Sequence, residues 1–151
     1  GLSWITILKK RDNFRTAFAG FDPNIISTWG EDEISILLQN ASIIRHRGKI
    51  AATISNAQAW QRIEETQGFN KFLWNYVNGY PLQATLDYSS TKPTQSALSL
   101  QISTDLKKAG FKFCGPTIVY AFMEACGLIN NHTINCPQHI LCRNMARLPS
   151  V

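Results

Sequence analysis

The sequence predicts an all-α fold, an orthogonally packed bundle of short helices. Three observations carry that prediction. Apolar residues recur at three- and four-residue spacing along most of the chain. Glycines close those segments one after another, at Gly20, Gly68, Gly110 and Gly127. No convincing strand, heptad array or internal repeat interrupts the pattern.

The elements follow in chain order. Residues 3–19 carry Trp4, Ile7, Leu8, Phe14 and Phe18 close to a helical period, which predicts one helix stopped by Gly20. Asp22-Pro23 supplies a cap and a first helical residue for the next turn. Asp32 opens a short helix with Ile34, Leu37 and Leu38 inside. Residues 47–67 form the longest helix, with Ile50, Ile54, Ala57, Trp60 and Ile63 on one face. Phe69, Phe72, Leu73, Tyr76 and Val77 mark another, ended by Asn78-Gly79. Residues 80–93 lack periodicity and read as a long surface loop. A helix follows from about Thr94 to Ala109, with Leu98, Ile102 and Leu106 spaced by four. After a short turn, Pro116 starts a last helix through Cys126. Residues 1–136 are expected to be a single helical domain, and residues 137–151 a weakly ordered tail.

The bulk composition bounds the function. A chain of 151 residues, 44% hydrophobic and 17% charged, can bury one core of ordinary size. No apolar run approaches a membrane span. The opening Gly1 to Leu8 resembles a signal core, but no basic segment precedes it and no small-residue cleavage site follows. The chain begins without Met, so a fragment or processed form starting inside a domain is expected. Cys114 and Cys126 sit among apolar residues and read as free core thiols; Cys136 and Cys142 neighbour histidines, where metal competes with a disulfide. A cytosolic or nuclear compartment is expected. The net charge is +5 and the pI about 9.2, which favours an acidic partner, nucleic acid first.

The stretch Leu106 to Thr117 is the most informative. A helix ends at Gly110, a tight turn follows, and Gly115 precedes a new helix. Glycines there permit positive φ and close backbone approach. The first N–H groups of the new helix lack intrahelical partners and carry the positive end of the helix dipole, which suits a DNA phosphate. Lys107, Lys108 and Lys112 add cations, and Thr117 a hydroxyl donor. Two further basic clusters, Lys9-Lys10-Arg11 and Arg45-His46-Arg47 with Lys49, suit a surface that follows a phosphate backbone. The segment resembles the helix-hairpin-helix of DNA-repair glycosylases. It departs from the common pattern of that superfamily: Pro116-Thr117-Ile118-Val119-Tyr120 has no lysine, and Asn130-Asn131-His132-Thr133 has no aspartate. A Schiff-base lyase is not expected.

Several segments appear in one order: Gly1-Leu2-Ser3-Trp4, Ile7 to Arg11, Ile44 to Lys49, Phe72-Leu73-Trp74, Val77-Asn78, Gly110 to Phe113, and Ala125 to Leu128. Together they resemble the bacterial DNA-3-methyladenine glycosylase I family of alkylation-repair enzymes, from Gly1 to about Cys136. The resemblance implies hydrolysis of the N-glycosidic bond of 3-methyladenine in double-stranded DNA by a cytoplasmic monomer without lyase activity. It implies that the damaged base is flipped out and that Trp4 stacks on it, the positive charge of the methylated ring favouring the indole face. It implies that Leu2 fills the gap the base leaves, and that Gly110, Lys112, Gly115 and Thr117 contact DNA. The family's base-recognising glutamate and a pocket tyrosine lie upstream of the segment matching Gly1, and Asp12 and Asp22 do not match that motif. No catalytic residue is therefore assigned in these 151 residues, and the implied activity belongs to a complete protein. The family clasps a structural zinc with the pair matching His132 and Cys136 plus a cysteine and a histidine near its N-terminus. A local alternative would add His139 and Cys142. The other function class open to this sequence is a non-catalytic helix-hairpin-helix DNA-binding module.

Overall fold

A computed structural model describes residues 3–87 and 91–146, so Leu2 and the end of the tail lie outside the described residues. The chain forms two compact units, Gly1–Thr66 with Ala109–Phe113, and Gln67–Lys108 with Cys114–Val151. Among the described residues the regular structure is helical apart from one pair of two-residue strands, which makes the fold all-α as expected.

The first unit begins with α1 (Trp4–Leu8) and α2 (Arg11–Ala17), where the periodicity predicts a single helix over 3–19. The break falls at Lys10, whose backbone leaves the helical region and whose ammonium donates to the carbonyls of Ala41 and Ser42. That tertiary contact overrides the local period. Consequently α1 has no buried residue, and Trp4 and Leu8 face solvent rather than a core. Asp22 accepts from the Asn24 N–H at 2.9 Å and Pro23 opens α3 (Pro23–Ile26). In α4 (Glu31–Gln39) the Glu33 carboxylate accepts the Gly30 N–H at 2.7 Å, which holds that carboxyl below its usual range.

Helix α5 (Arg47–Thr66) is the longest element. Ile50, Ile54 and Ala57 from it join Phe18, Ile26, Ile34, Leu37 and Ile43 in one buried cluster. Trp29 and Phe14 pack at its margin.

In the second unit, α6 (Phe69–Trp74) runs into a 3₁₀ turn over Asn75–Val77. Helix α7 (Ala97–Lys108) starts three residues later than the sequence suggests, because Ser96 and Ser99 cap it reciprocally. The Ser99 N–H donates to Ser96 Oγ at 3.1 Å, and the Ser96 N–H donates to Ser99 Oγ at 2.8 Å. Helix α7 packs on α8 (Pro116–Ala125). The two small buried residues Ser99 and Ser103 belong to α7, and Ser103 Oγ donates to the Cys114 carbonyl at 2.6 Å. Near the end of α7, Tyr76 donates to Asp105 at 2.9 Å. Burial and that carboxylate push the Tyr76 hydroxyl up to about 12, so it stays a donor at neutral pH.

Three expectations fail in this unit. The long loop contains a two-residue strand, β1 (Leu82–Gln83), paired in parallel with β2 (Ile129–Asn130); two residues are too few to show a period. Residues 137–145, expected in a weakly ordered tail, form α9 (Pro137–Met145) with Cys136 at the cap position and Pro137 at the first helical position. Asn130 fastens this helix through its side-chain N–H to the His139 carbonyl at 3.0 Å, and His139 itself is buried. Cys126, expected in the core, is exposed.

Ile102 has no exposed surface. The Ile102→Ala variant should lose about 2–5 kcal/mol in chemical denaturation, through lost burial and the cavity left behind.

Candidate functional site

Trp4 is the first residue of α1, capped by Ser3, and is 82% exposed. A tryptophan so exposed is not serving the core. Leu2 lies outside the described residues.

Helix α7, the turn Ala109–Phe113 and helix α8 follow one another along the chain, and positive φ falls at Gly110 and Phe113. Lys108 ends α7 and pairs with Asp105 at 3.3 Å. The turn Ala109–Phe113 belongs to the first unit. Gly110 has φ 103, and a Cβ there would meet the Arg62 guanidinium at 2.9 Å. Phe113 also has positive φ, at 56. Gly115, expected to need the same freedom, has φ −64 and ψ 160, and a Cβ built there meets nothing within 4 Å. That conformation is the one any residue before a proline prefers. Gly115 is the cap residue of α8 and supplies no side-chain cap, so the first-turn N–H groups of α8 are left to other acceptors. Thr117 is exposed in this first turn, as is Lys112 in the turn before it.

The basic clusters are less uniform than the sequence count. Lys10 is spent on loop carbonyls, and Arg47 pairs with Glu31. Lys49 lies 6.0 Å from the centre of the Phe113 ring, and the His46 ring meets that ring edge-on at 6.2 Å. His46 Nδ1 accepts the Lys49 N–H at 3.1 Å, so His46 starts α5 as a cap. None of this cluster geometry was visible in the sequence beyond the shared basic character.

Sequence reasoning also missed a cavity of about 660 Å³ in the first unit, lined by Phe14, Phe18, Phe21, Ile44, His46 and Lys49 among others. Its aromatic wall would suit a base. Among the described residues its lining carries the Lys49 ammonium and no carboxylate.

His132 and Cys136 come together in the second unit. His132 Nδ1 and Cys136 Sγ are 3.8 Å apart. Two ligands of a tetrahedral zinc stand about 3.6 Å apart, given the usual Zn–N and Zn–S lengths. The pair therefore fits two corners of such a site. Asn130 steadies it: its Oδ1 accepts the His132 N–H at 3.3 Å, and its Nδ2 donates to Gln83 at 2.9 Å. The local four-ligand alternative is not assembled. His139 Nε2 faces the Ala84 carbonyl at 3.3 Å, and among the described residues no group of three His, Cys, Asp or Glu could hold a metal.

The family model for methyladenine glycosylase matches residues 1–139. A protein of Escherichia coli (strain K12) named DNA-3-methyladenine glycosylase 1 is 47% identical over 137 residues, 90% of this chain and 73% of that protein. A DNA-3-methyladenine glycosylase of Haemophilus influenzae is 41% identical over 91% of this chain and 75% of its own length. Among solved structures, 3-methyladenine DNA glycosylase I from Staphylococcus aureus superposes with a TM-score of 0.85 at 40% identity, covering 92% of this chain and 74% of that one. A variant of 3-methyladenine DNA glycosylase I in complex with 3-methyladenine gives a TM-score of 0.86, also at 40% identity, over 92% and 75% of the two chains. With sequence and fold in agreement over nine-tenths of its length, this chain belongs to the methyladenine glycosylase family.

Proposed function

We infer that this chain serves base-excision repair as a DNA-3-methyladenine glycosylase, hydrolysing the N-glycosidic bond of 3-methyladenine in alkylated double-stranded DNA. The family match over residues 1–139 carries the reading. The chemistry asks little of the protein. Methylation at N3 leaves the base positively charged and therefore a good leaving group, so extruding the nucleotide and holding the base are the main tasks.

The residues divide those tasks. Trp4 offers an exposed indole face to a cationic ring; its 82% exposure supports that role. Leu2 fills the stack behind the flipped nucleotide, by resemblance to the family. The hairpin segment holds the DNA backbone: the first N–H groups of α8, the Thr117 hydroxyl and the Lys112 ammonium each serve as donors. Gly110 lets the turn close. No lysine stands on the first turns of α8, so the product is an intact abasic strand.

When bound, a structural zinc would supply a crosslink, and His132 and Cys136 would hold two of its corners. The protein works as a monomer in the cytoplasm; among the described residues no helix is long and apolar enough to cross a membrane.

Four measurements test these assignments. In the complete protein, Trp4→Ala should reduce single-turnover release of 3-methyladenine about tenfold to a hundredfold, the worth of one lost base–aromatic stack, and leave binding of undamaged duplex nearly unchanged. Borohydride trapping of a covalent adduct with DNA would overturn the monofunctional mechanism. Gly115→Val should fold normally, because its backbone suits any residue, yet bind every duplex more weakly, because its side chain walls off the phosphate; unchanged affinity would remove the clamp. For the metal, the zinc content of the complete protein, read by elemental analysis, should fall in His132→Ala and Cys136→Ala and be unaffected in Cys142→Ala, and residues 1–151 alone should hold little zinc. Loss in Cys142→Ala would instead support the local ligand set.

A further inference from the structure

One face of α5 carries Asn56, Ala59 and Arg62 at three-residue spacing, and all three meet the hairpin turn. The Asn56 side chain reads both polar groups of Lys112: its Nδ2 donates to the Lys112 carbonyl at 3.1 Å, and its Oδ1 accepts the Lys112 N–H at 2.8 Å. Arg62 donates to the Ala109 carbonyl at 3.2 Å. Ala59 lies under Gly110, 3.8 Å from where a Cβ would stand. The turn is thus tied at both ends by hydrogen bonds from outside itself. It needs such ties, because Phe113 sits at positive φ, a conformation that costs a non-glycine residue free energy unless its surroundings enforce it. Lys112 and Phe113 remain exposed.

We propose that Asn56 is a positioning residue for DNA binding: it holds the turn in its binding conformation before DNA arrives, so that the Lys112 ammonium is presented without an ordering cost. The proposal rests on the reading of the hairpin as a DNA contact. An unheld turn of this length would have to be ordered on binding, and that cost would be subtracted from affinity. Asn56 itself touches no DNA. Its effect passes through Lys112, so the two residues should not act independently.

The test is a double-variant cycle read by binding of a short undamaged duplex across a salt series. Lys112→Ala should weaken binding and reduce the salt slope by about one, as expected for one lost phosphate contact. Asn56→Ala should weaken binding about tenfold, with a cooperative thermal transition retained and faster hydrogen exchange at the Lys112 amide. The double variant should bind no more weakly than the weaker single one. Asn56→Ser, which is neutral and too short to span both polar groups of Lys112, should fall between wild type and Asn56→Ala. It serves as the reference if Asn56→Ala unfolds. If Lys112→Ala weakens binding while the Asn56 variants do not, or if their effects add fully, Asn56 is not a positioning residue and the hairpin reading survives. If Lys112→Ala leaves affinity and salt slope unchanged, Lys112 is not a DNA contact and both readings fall.

Discussion

The first unit depends on one helix being used on two faces. Helix α5 is 20 residues long, about 30 Å. Its apolar stripe of Ile50, Ile54 and Ala57 closes the buried cluster with Phe18, Ile26, Ile34, Leu37 and Ile43. The neighbouring stripe of Asn56, Ala59 and Arg62 grips the turn Ala109–Phe113, more than forty residues away in sequence. Rotating α5 by one residue, about 100°, would take Ile54 and Ala57 out of the core and Asn56 off the turn together. Core packing and turn geometry are therefore fixed by the same helical register, and a residue that disturbs one is felt by the other.

What could be read from the sequence was what local physics decides. Asp22-Pro23 marks a helix start through a cap and a fixed φ, and both act within three residues. The apolar spacing of α5 located its buried face for the same reason. The errors came where a distant group intervened. Nothing near Lys9-Lys10 announces a break; the carbonyls of Ala41 and Ser42 make it by drawing in the Lys10 ammonium. The segment after Cys136 looks weakly ordered in sequence, yet Pro137 is well placed to begin a helix that Asn130 then secures. At the hairpin, the glycines correctly marked a turn. Gly110 does take up positive φ, whereas the second strained position is Phe113, a residue type that carries no such signal. Asn56 looked like any polar residue on a helix, because its partner lies 56 positions away.

Charge shows the same divide. A sequence count treats fifteen basic residues alike. The fold sorts them: Lys10 supports a loop, Arg47 and Lys108 each face a carboxylate, and Lys49 sits beside an aromatic ring. The net charge of +5 draws a polyanion from a distance. Among the exposed cations, Lys112 stands out because its backbone is anchored at both polar groups.

Gly115 carries a consequence for anyone who would engineer this scaffold. Its backbone lies in an ordinary extended conformation and the space around it is open. Glycine at such a position enlarges the entropy of the unfolded chain for no gain in the folded one, and a substitution there should stabilise the protein by about 0.4–1 kcal/mol. Thermostability design guided by the free protein would therefore choose it early. The substitution would also place a side chain across the first turn of α8. Heat tolerance and access to that helix end are opposed at this single position, and selection for the first would erode the second without any trace in a melting curve.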